Sequence, residues 1–153
     1  QKERPNIELH IFGDGPYKES LLSMIEEKGL KEKVFLRGYC NEVHRTLSDF
    51  DVYLMTSLQE GFPNSLCEAM AVGLPSVAVA CHSGVTELGR NGECGYAVPE
   101  GDKIGFVDKM LRLVDSAELR AEMGARARNI SETYNKEKIM GQWQECIEEA
   151  VKK

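Results

Sequence analysis

The sequence predicts an α/β fold, a parallel sheet with helices on both faces and a helical C-terminal extension. Two observations predict it: short β-prone runs alternate with segments of helical apolar spacing up to about residue 98, and the pattern from there on is helical. Ile7 to Phe12 is a β-prone run that stops at Gly13-Asp14-Gly15-Pro16, after which Leu21, Leu22 and Ile25 recur at helical spacing until Gly29. Val34 to Leu36 give a second strand ending at Gly38. Val43, Leu47 and Phe50 line a short helix, and Val52 to Met55 give a third strand. Leu66, Ala69, Met70 and Gly73 mark a helix face, Ser76 to Val79 a fourth strand, Val85 to Gly92 a turn-rich piece, and Gly95 to Val98 the last strand. From Asp102 onward Phe106, Met110, Leu113 and Val114 define one helix and Leu119 and Met123 the next. Ile139, Trp143 and Ile147 define a C-terminal helix over 135–151. In a Rossmann-like sheet of this kind ligands bind beyond the carboxyl ends of the strands, so the loops at 13–16, 37–41, 57–64 and 80–84 are where function is expected.

With 153 residues, 42% of them hydrophobic, the chain is long enough for one core and too short to need two, so a single domain over 1–153 is expected. The formal net charge of -6 is spread along the chain, which argues against a nucleic-acid partner, because phosphate-backbone binding needs clustered Lys and Arg. Five cysteines, Cys40, Cys67, Cys81, Cys94 and Cys146, form no Cys-x-x-Cys pair and read as reduced thiols in a cytoplasmic protein. The longest apolar stretch, Ser65 to Cys81, is interrupted by Glu68, Gly73 and Pro75; neither a membrane span nor a signal peptide is expected.

One segment carries chemistry: Glu60-Gly61-Phe62-Pro63-Asn64-Ser65-Leu66-Cys67-Glu68-Ala69-Met70, with one carboxylate in the loop before a helix and one about a turn inside it. Asn64 and Ser65 stand where the unpaired N–H groups of the helix start would face the cleft, an anion site flanked by two acceptor-only side chains. Such a site suits a diphosphate joined to groups rich in hydroxyls. Ser65-x-x-Glu68 also reads as a capping box, which needs no ligand at all, and spacing alone leaves the two readings even. Glu68 is the only charge between Leu66 and Cys81 and so needs a hydrogen-bonding partner.

The chain resembles the C-terminal domain of GT-B-fold retaining glycosyltransferases of family 4. Their signature is Glu-x7-Glu followed by Ala-Met and a Gly-x-Pro turn, here Glu60, Glu68, Ala69-Met70 and Gly73-Leu74-Pro75. The similarity runs from about Ile7 to Ala150. It takes in Gly13-Asp14-Gly15, Phe35-Leu36-Arg37-Gly38-Tyr39, Asp51-Val52-Tyr53-Leu54, Ser83-Gly84-Val85-Thr86-Glu87-Leu88 and Asn91-Gly92-Glu93-Cys94-Gly95-Tyr96. Related sequences often carry an Asp near Ala80, which is absent here. The resemblance implies that Glu60 is the catalytic residue that contacts sugar hydroxyls of the donor, that Glu68 binds the ribose diol, and that the backbone from Gly61 through Phe62, Pro63, Asn64 and Ser65 binds the diphosphate. It also implies a nucleobase loop at Tyr39-Cys40 and an approach of Gly13 to the donor. The donor would be a nucleoside-diphosphate sugar, UDP-linked as is commonest in the family, and the acceptor a glycan or lipid-linked hydroxyl. No metal cofactor is expected, since the inferred anion site is built from helix N–H groups and basic side chains, and no His/Cys cluster offers ligands. By the same resemblance the domain is N-terminally truncated. Its first strand, a loop bearing Arg and Lys, and the acceptor-side domain would precede Gln1, leaving the isolated chain inactive and the full-length protein cytoplasmic or peripheral to the inner membrane face.

Other readings stay open. A GT-B-fold epimerase or phosphorylase-like protein would share the architecture, and a non-catalytic α/β binding module would need neither glutamate. A Gly-rich turn such as Gly13-Asp14-Gly15 is more often geometry than phosphate binding. His82 reads as a solvated loop residue, and His10 and His44 lack carboxylates or thiols at metal-ligand spacing. Trp143 and the Met positions of the last helices read as core and packing surface.

Overall fold

The computed structural model describes residues 6–81, 84–89 and 92–152. Gln1, His82, Ser83 and Asn91, all named above, lie outside the described residues. Contacts gather into two compact units, one ending at Val43 and the other beginning at His44.

In the first unit β1 (Leu9–Phe12) and β2 (Val34–Gly38) pair in parallel, with Leu9 opposite Val34 and Phe12 opposite Gly38. A parallel pair needs a crossover, and α1 (Lys18–Glu27) supplies it. The helix ends where Gly29 takes φ +63°: its N–H donates to the Glu26 carbonyl and the Leu30 N–H to the Ile25 carbonyl, closing the last turn.

The second unit opens with α2 (Val43–Leu47), whose first residue belongs to the preceding unit. It then alternates β3 (Tyr53–Met55), α3 (Asn64–Ala71), β4 (Ser76–Val79), α4 (Val85–Gly89) and β5 (Gly95–Val98). Four helices follow: α5 (Lys103–Asp115), α6 (Ala117–Ala127), α7 (Ile130–Thr133) and α8 (Lys136–Val151). The strands are parallel in the order β3-β4-β5, with Leu54 opposite Val77 and Val77 opposite Tyr96. Successive strand residues feed opposite cores. Tyr53, Met55, Ala78 and Ala97 pack with Leu66, Met70, Val85 and Leu88 from α3 and α4. Val52, Leu54, Val77, Tyr96 and Val98 pack with Phe106, Met110 and Leu113 from α5 and Leu119 and Met123 from α6. This period-two division is what a sheet covered on both faces requires.

Strand and helix positions follow the sequence pattern closely, with two exceptions. The turn-rich piece after Val85 is helical through Gly89, and α7 had no pattern of its own. Both are about one turn long, and burial of Val85, Leu88 and Ile130 stabilises them where propensity alone would not. The last helix departs in another way. α8 buries none of its residues, and Trp143 is 62% exposed alongside Met140 and Ile147, so these side chains are not core of the described chain.

The Gly-x-Pro turn has a packing reason. α3 ends as α1 does, with Gly73 at φ +86° donating to the Met70 carbonyl and Leu74 to the Ala69 carbonyl. The Gly73 carbonyl then faces Gly124 of α6 so closely that a Cβ on Gly124 would overlap it. Gly124→Ala is expected to destabilise the protein by about 1–3 kcal/mol, because a backbone carbonyl has little room to yield. Urea unfolding measures this, and a midpoint equal to the parent's would contradict the packing described.

Candidate functional site

Of the Glu-x7-Glu pair, Glu68 lies inside α3 and Glu60 in the loop from β3 to α3. Phe62 anchors the loop, its ring 5.5 Å from that of Tyr134 in a tilted contact, and Pro63 is buried beside it. Pro63 is the cap residue of α3, and no side chain caps this end. Three later helices are closed by their own side chains, Asp102 accepting from the Gly105 N–H at 2.8 Å, Ser116 from Leu119 at 3.1 Å and Asn135 from Lys138 at 2.9 Å. Ser65 does not do this for α3. It sits in the first turn, past the cap position, and its Oγ accepts a 2.8 Å hydrogen bond from the Tyr53 hydroxyl. The capping box that Ser65-x-x-Glu68 spells is therefore not formed.

The backbone of the turn is partly committed. The N–H groups of Leu66 and Cys67 both donate to the Pro63 carbonyl at 3.1 Å, and that of Asn64 to Phe62 at 2.9 Å. Among the described residues the N–H groups of Gly61, Phe62 and Ser65 have no acceptor, and Gly61, Asn64 and Ser65 are exposed. Glu60 and Glu68 are half-buried, and neither carboxylate has a hydrogen-bond or ion-pair partner among the described residues. Glu68 is thus less enclosed than its apolar sequence neighbours suggest, since α3 turns it toward the partly open side. The two acids nevertheless act on one region. Burial pushes the Tyr53 phenol above its ordinary value of 10.0, the Ser65 hydrogen bond opposes the rise, and the Glu60 and Glu68 charges add to it. Burial likewise raises the Cys67 thiol, with Glu68 contributing. Two acceptor-only groups, a set of unspent N–H donors and the positive end of a helix dipole can hold an anion that carries hydroxyl-bearing groups on either side.

Sequence reasoning passed over Tyr53, which it treated as a strand position. The available signal was its place two residues before the strand's end, with a polar tip long enough to reach past Met55.

Gly13, Tyr39 and Cys40 belong to the other unit. There the Gly13 N–H donates to the Gly38 carbonyl at 2.7 Å, which brings the Gly13 turn beside the end of β2, next to Tyr39 and Cys40. Tyr39 is 80% exposed and Cys40 half-buried. His10 in this unit accepts from Arg37 Nε at 3.0 Å and meets Glu8 at 3.2 Å. No group of three His, Cys, Asp or Glu side chains that could hold a metal occurs among the described residues. Among them, too, no helix is long and apolar enough to cross a membrane.

The family described as Glycosyl transferases group 1 matches residues 1–130. The chain is 36% identical over 138 residues to poly(ribitol-phosphate) alpha-N-acetylglucosaminyltransferase of Staphylococcus aureus, a match covering 90% of this chain and 28% of that protein. It is 32% identical over 140 residues to N-acetyl-alpha-D-glucosaminyl L-malate synthase of Bacillus anthracis, covering 91% and 36%. Among solved structures it is similar to a variant of S. aureus TarM in complex with fondaparinux, alpha-GlcNAc-glycerol and UDP, with a TM-score of 0.85, 35% identity, and 94% of this chain and 29% of that one covered. The pneumococcal O-GlcNAc transferase GtfA in complex with UDP and GlcNAc matches with a TM-score of 0.84 and 26% identity, over 98% and 31%. The fold is that of the C-terminal domain of GT-B glycosyltransferases. The chain spans about a third of the length of these relatives.

The Tyr53 environment gives a pH test. A phenol whose ionisation is harder in the folded state than in the unfolded one contributes stability that is present below pH 10 and lost as pH rises through the folded value. The difference in ultraviolet titration between the parent and Tyr53→Phe is expected to be one phenol ionising above pH 10.0, with the variant losing less stability there. A difference spectrum titrating at or below that value would contradict the burial of this hydroxyl.

Proposed function

This chain belongs to the glycosyl transferases group 1 family, and on that premise we propose that it forms the donor-binding half of a glycosyltransferase. In this reading the full-length protein moves a sugar from a nucleoside-diphosphate sugar to a hydroxyl of a glycan or lipid-linked acceptor, with retention at the anomeric carbon. UDP is the nucleotide, a choice supported by its presence in the similar TarM and GtfA structures.

The observation that carries the proposal is the uncapped first turn of α3 between two carboxylates that lack partners among the described residues. Glu68 accepts hydrogen bonds from the ribose diol, and Glu60, the catalytic residue, accepts from hydroxyls of the transferred sugar. The N–H groups of Gly61, Phe62 and Ser65 take the diphosphate oxygens. Because these donors are fixed before the reaction, they stabilise charge that grows on the departing diphosphate as the glycosidic bond breaks. Two carboxylates beside a diphosphate repel it, so the balance of positive charge comes from basic side chains in the rest of the full-length protein. That remainder also supplies the acceptor-side domain and closes the cleft against water. The chain by itself therefore has no transferase activity, and the donor site works without a metal ion. The protein operates in the cytoplasm, at or near the inner membrane face when its acceptor is lipid-linked.

Calorimetric titration of the full-length protein with UDP tests the assignment. Glu68→Gln is expected to weaken UDP binding by about 1–3 kcal/mol, the loss of a charge-assisted hydrogen bond. Glu60→Gln is expected to leave UDP affinity intact and to erase the preference for the UDP-sugar over UDP, and all affinities should persist in EDTA. UDP affinity untouched by Glu68→Gln would favour a binding module that uses neither acid, and a strict Mg²⁺ or Mn²⁺ requirement would contradict the metal-free site.

A further inference from the structure

The hydrogen bond between Tyr53 and Ser65 joins a strand residue to the first turn of α3 across 2.8 Å. A phenol is the stronger acid and an aliphatic hydroxyl the better acceptor, so Tyr53 donates and Ser65 accepts. A serine inside a helix ordinarily bonds back to a carbonyl one turn earlier, and a serine at a cap position accepts an N–H of its own helix. Ser65 does neither. Its hydroxyl has one donor and two acceptor positions, and with one lone pair taken from below its own proton must turn away from the phenol. Ser65 is exposed, and its N–H has no acceptor among the described residues.

We propose that Tyr53 is a positioning residue of the donor site: it holds Ser65 Oγ from below, so that Ser65 presents its O–H and N–H together to one phosphate of a nucleoside diphosphate. This rests on the donor-binding reading above and adds to it a side-chain contact and the residue that orients it. The phenol remains a donor throughout the working range, because burial and the nearby Glu60 and Glu68 charges keep it protonated. The bond from Ser65 to phosphate is charge-assisted, and its strength depends on how completely the hydroxyl is oriented before the ligand arrives. Uridine, which has no phosphate, gains nothing from it.

The test compares UDP and uridine binding to the full-length protein in the parent, Tyr53→Phe, Ser65→Ala, Ser65→Thr and the Tyr53→Phe/Ser65→Ala double variant. Tyr53→Phe is expected to weaken UDP binding by about 3- to 10-fold, the scale of one hydrogen bond, with uridine binding unchanged. Ser65→Ala should weaken it at least as much, the double variant no further than Ser65→Ala alone, and Ser65→Thr should retain it. A purely structural tyrosine would instead shift UDP and uridine alike or multiply with Ser65→Ala; either outcome overturns the proposal. If Glu68→Gln weakens UDP binding while Tyr53→Phe does not, the positioning role falls and the donor reading stands. A parent that binds no UDP overturns both. Should Tyr53→Phe fail to fold, the exposed Ser65→Ala carries the test, and unchanged UDP affinity in it overturns the proposal.

Discussion

The first turn of α3 stays open because the residue at its cap is Pro63, which has no side-chain acceptor to offer. Every helix leaves its first N–H groups without partners inside the helix, and the chain must then bond them, hydrate them or give them to a ligand. Asp102, Ser116 and Asn135 close α5, α6 and α8 with side-chain oxygens, whereas α1, α3 and α7 begin without a side-chain cap. The gap at α3 differs from the other two in what flanks it. Glu60 and Glu68 lie on either side of that gap without partners among the described residues, and their charges converge on Tyr53.

The sheet decides which side chain meets that turn. Along β3 the pleat sends Val52 and Leu54 to the core under α5 and Tyr53 and Met55 to the core under α3. A slip of one residue would carry the Tyr53 hydroxyl to the opposite face and leave Ser65 without it. The register is held by the pairing of Tyr53 with Ser76, by the Tyr53 N–H donating to the Pro75 carbonyl at 3.0 Å, and by the close fit of Gly95 against Ser76. The Gly73-Leu74-Pro75 turn serves the same end, since it helps reverse the chain from α3 into β4 within four residues and lets α6 close over the junction at Gly124. Core packing and site geometry are one construction here.

Much of this was legible in the residues. β4 and β5 fell where the β-prone runs stood, because strands covered on both faces are largely apolar on both, and the long helices followed their 3.6-residue spacing. One-turn helices such as α7 carry too few residues to form a period. The burial of helix residues was harder to read, since the stripe of Met140, Trp143 and Ile147 is written like a core face yet lies exposed on α8. At the site, the Glu-x7-Glu spacing pointed to the loop before α3, but Ser65-x-x-Glu68 spells a capping box and the pattern could not say which neighbour Ser65 would choose. That choice depends on Tyr53, twelve residues away in sequence and brought close only by the strand-to-helix packing. Local spacing cannot encode a competition decided by a distant side chain.

The central claim is that the open N–H groups at the head of α3 receive the diphosphate of the donor. Amide hydrogen exchange of the full-length protein, measured residue by residue with and without UDP, tests it most directly. The account predicts that the Gly61, Phe62 and Ser65 amides exchange rapidly in the free protein and slowly in the complex. Bound UDP that leaves all three exchanging at their free rates would contradict it.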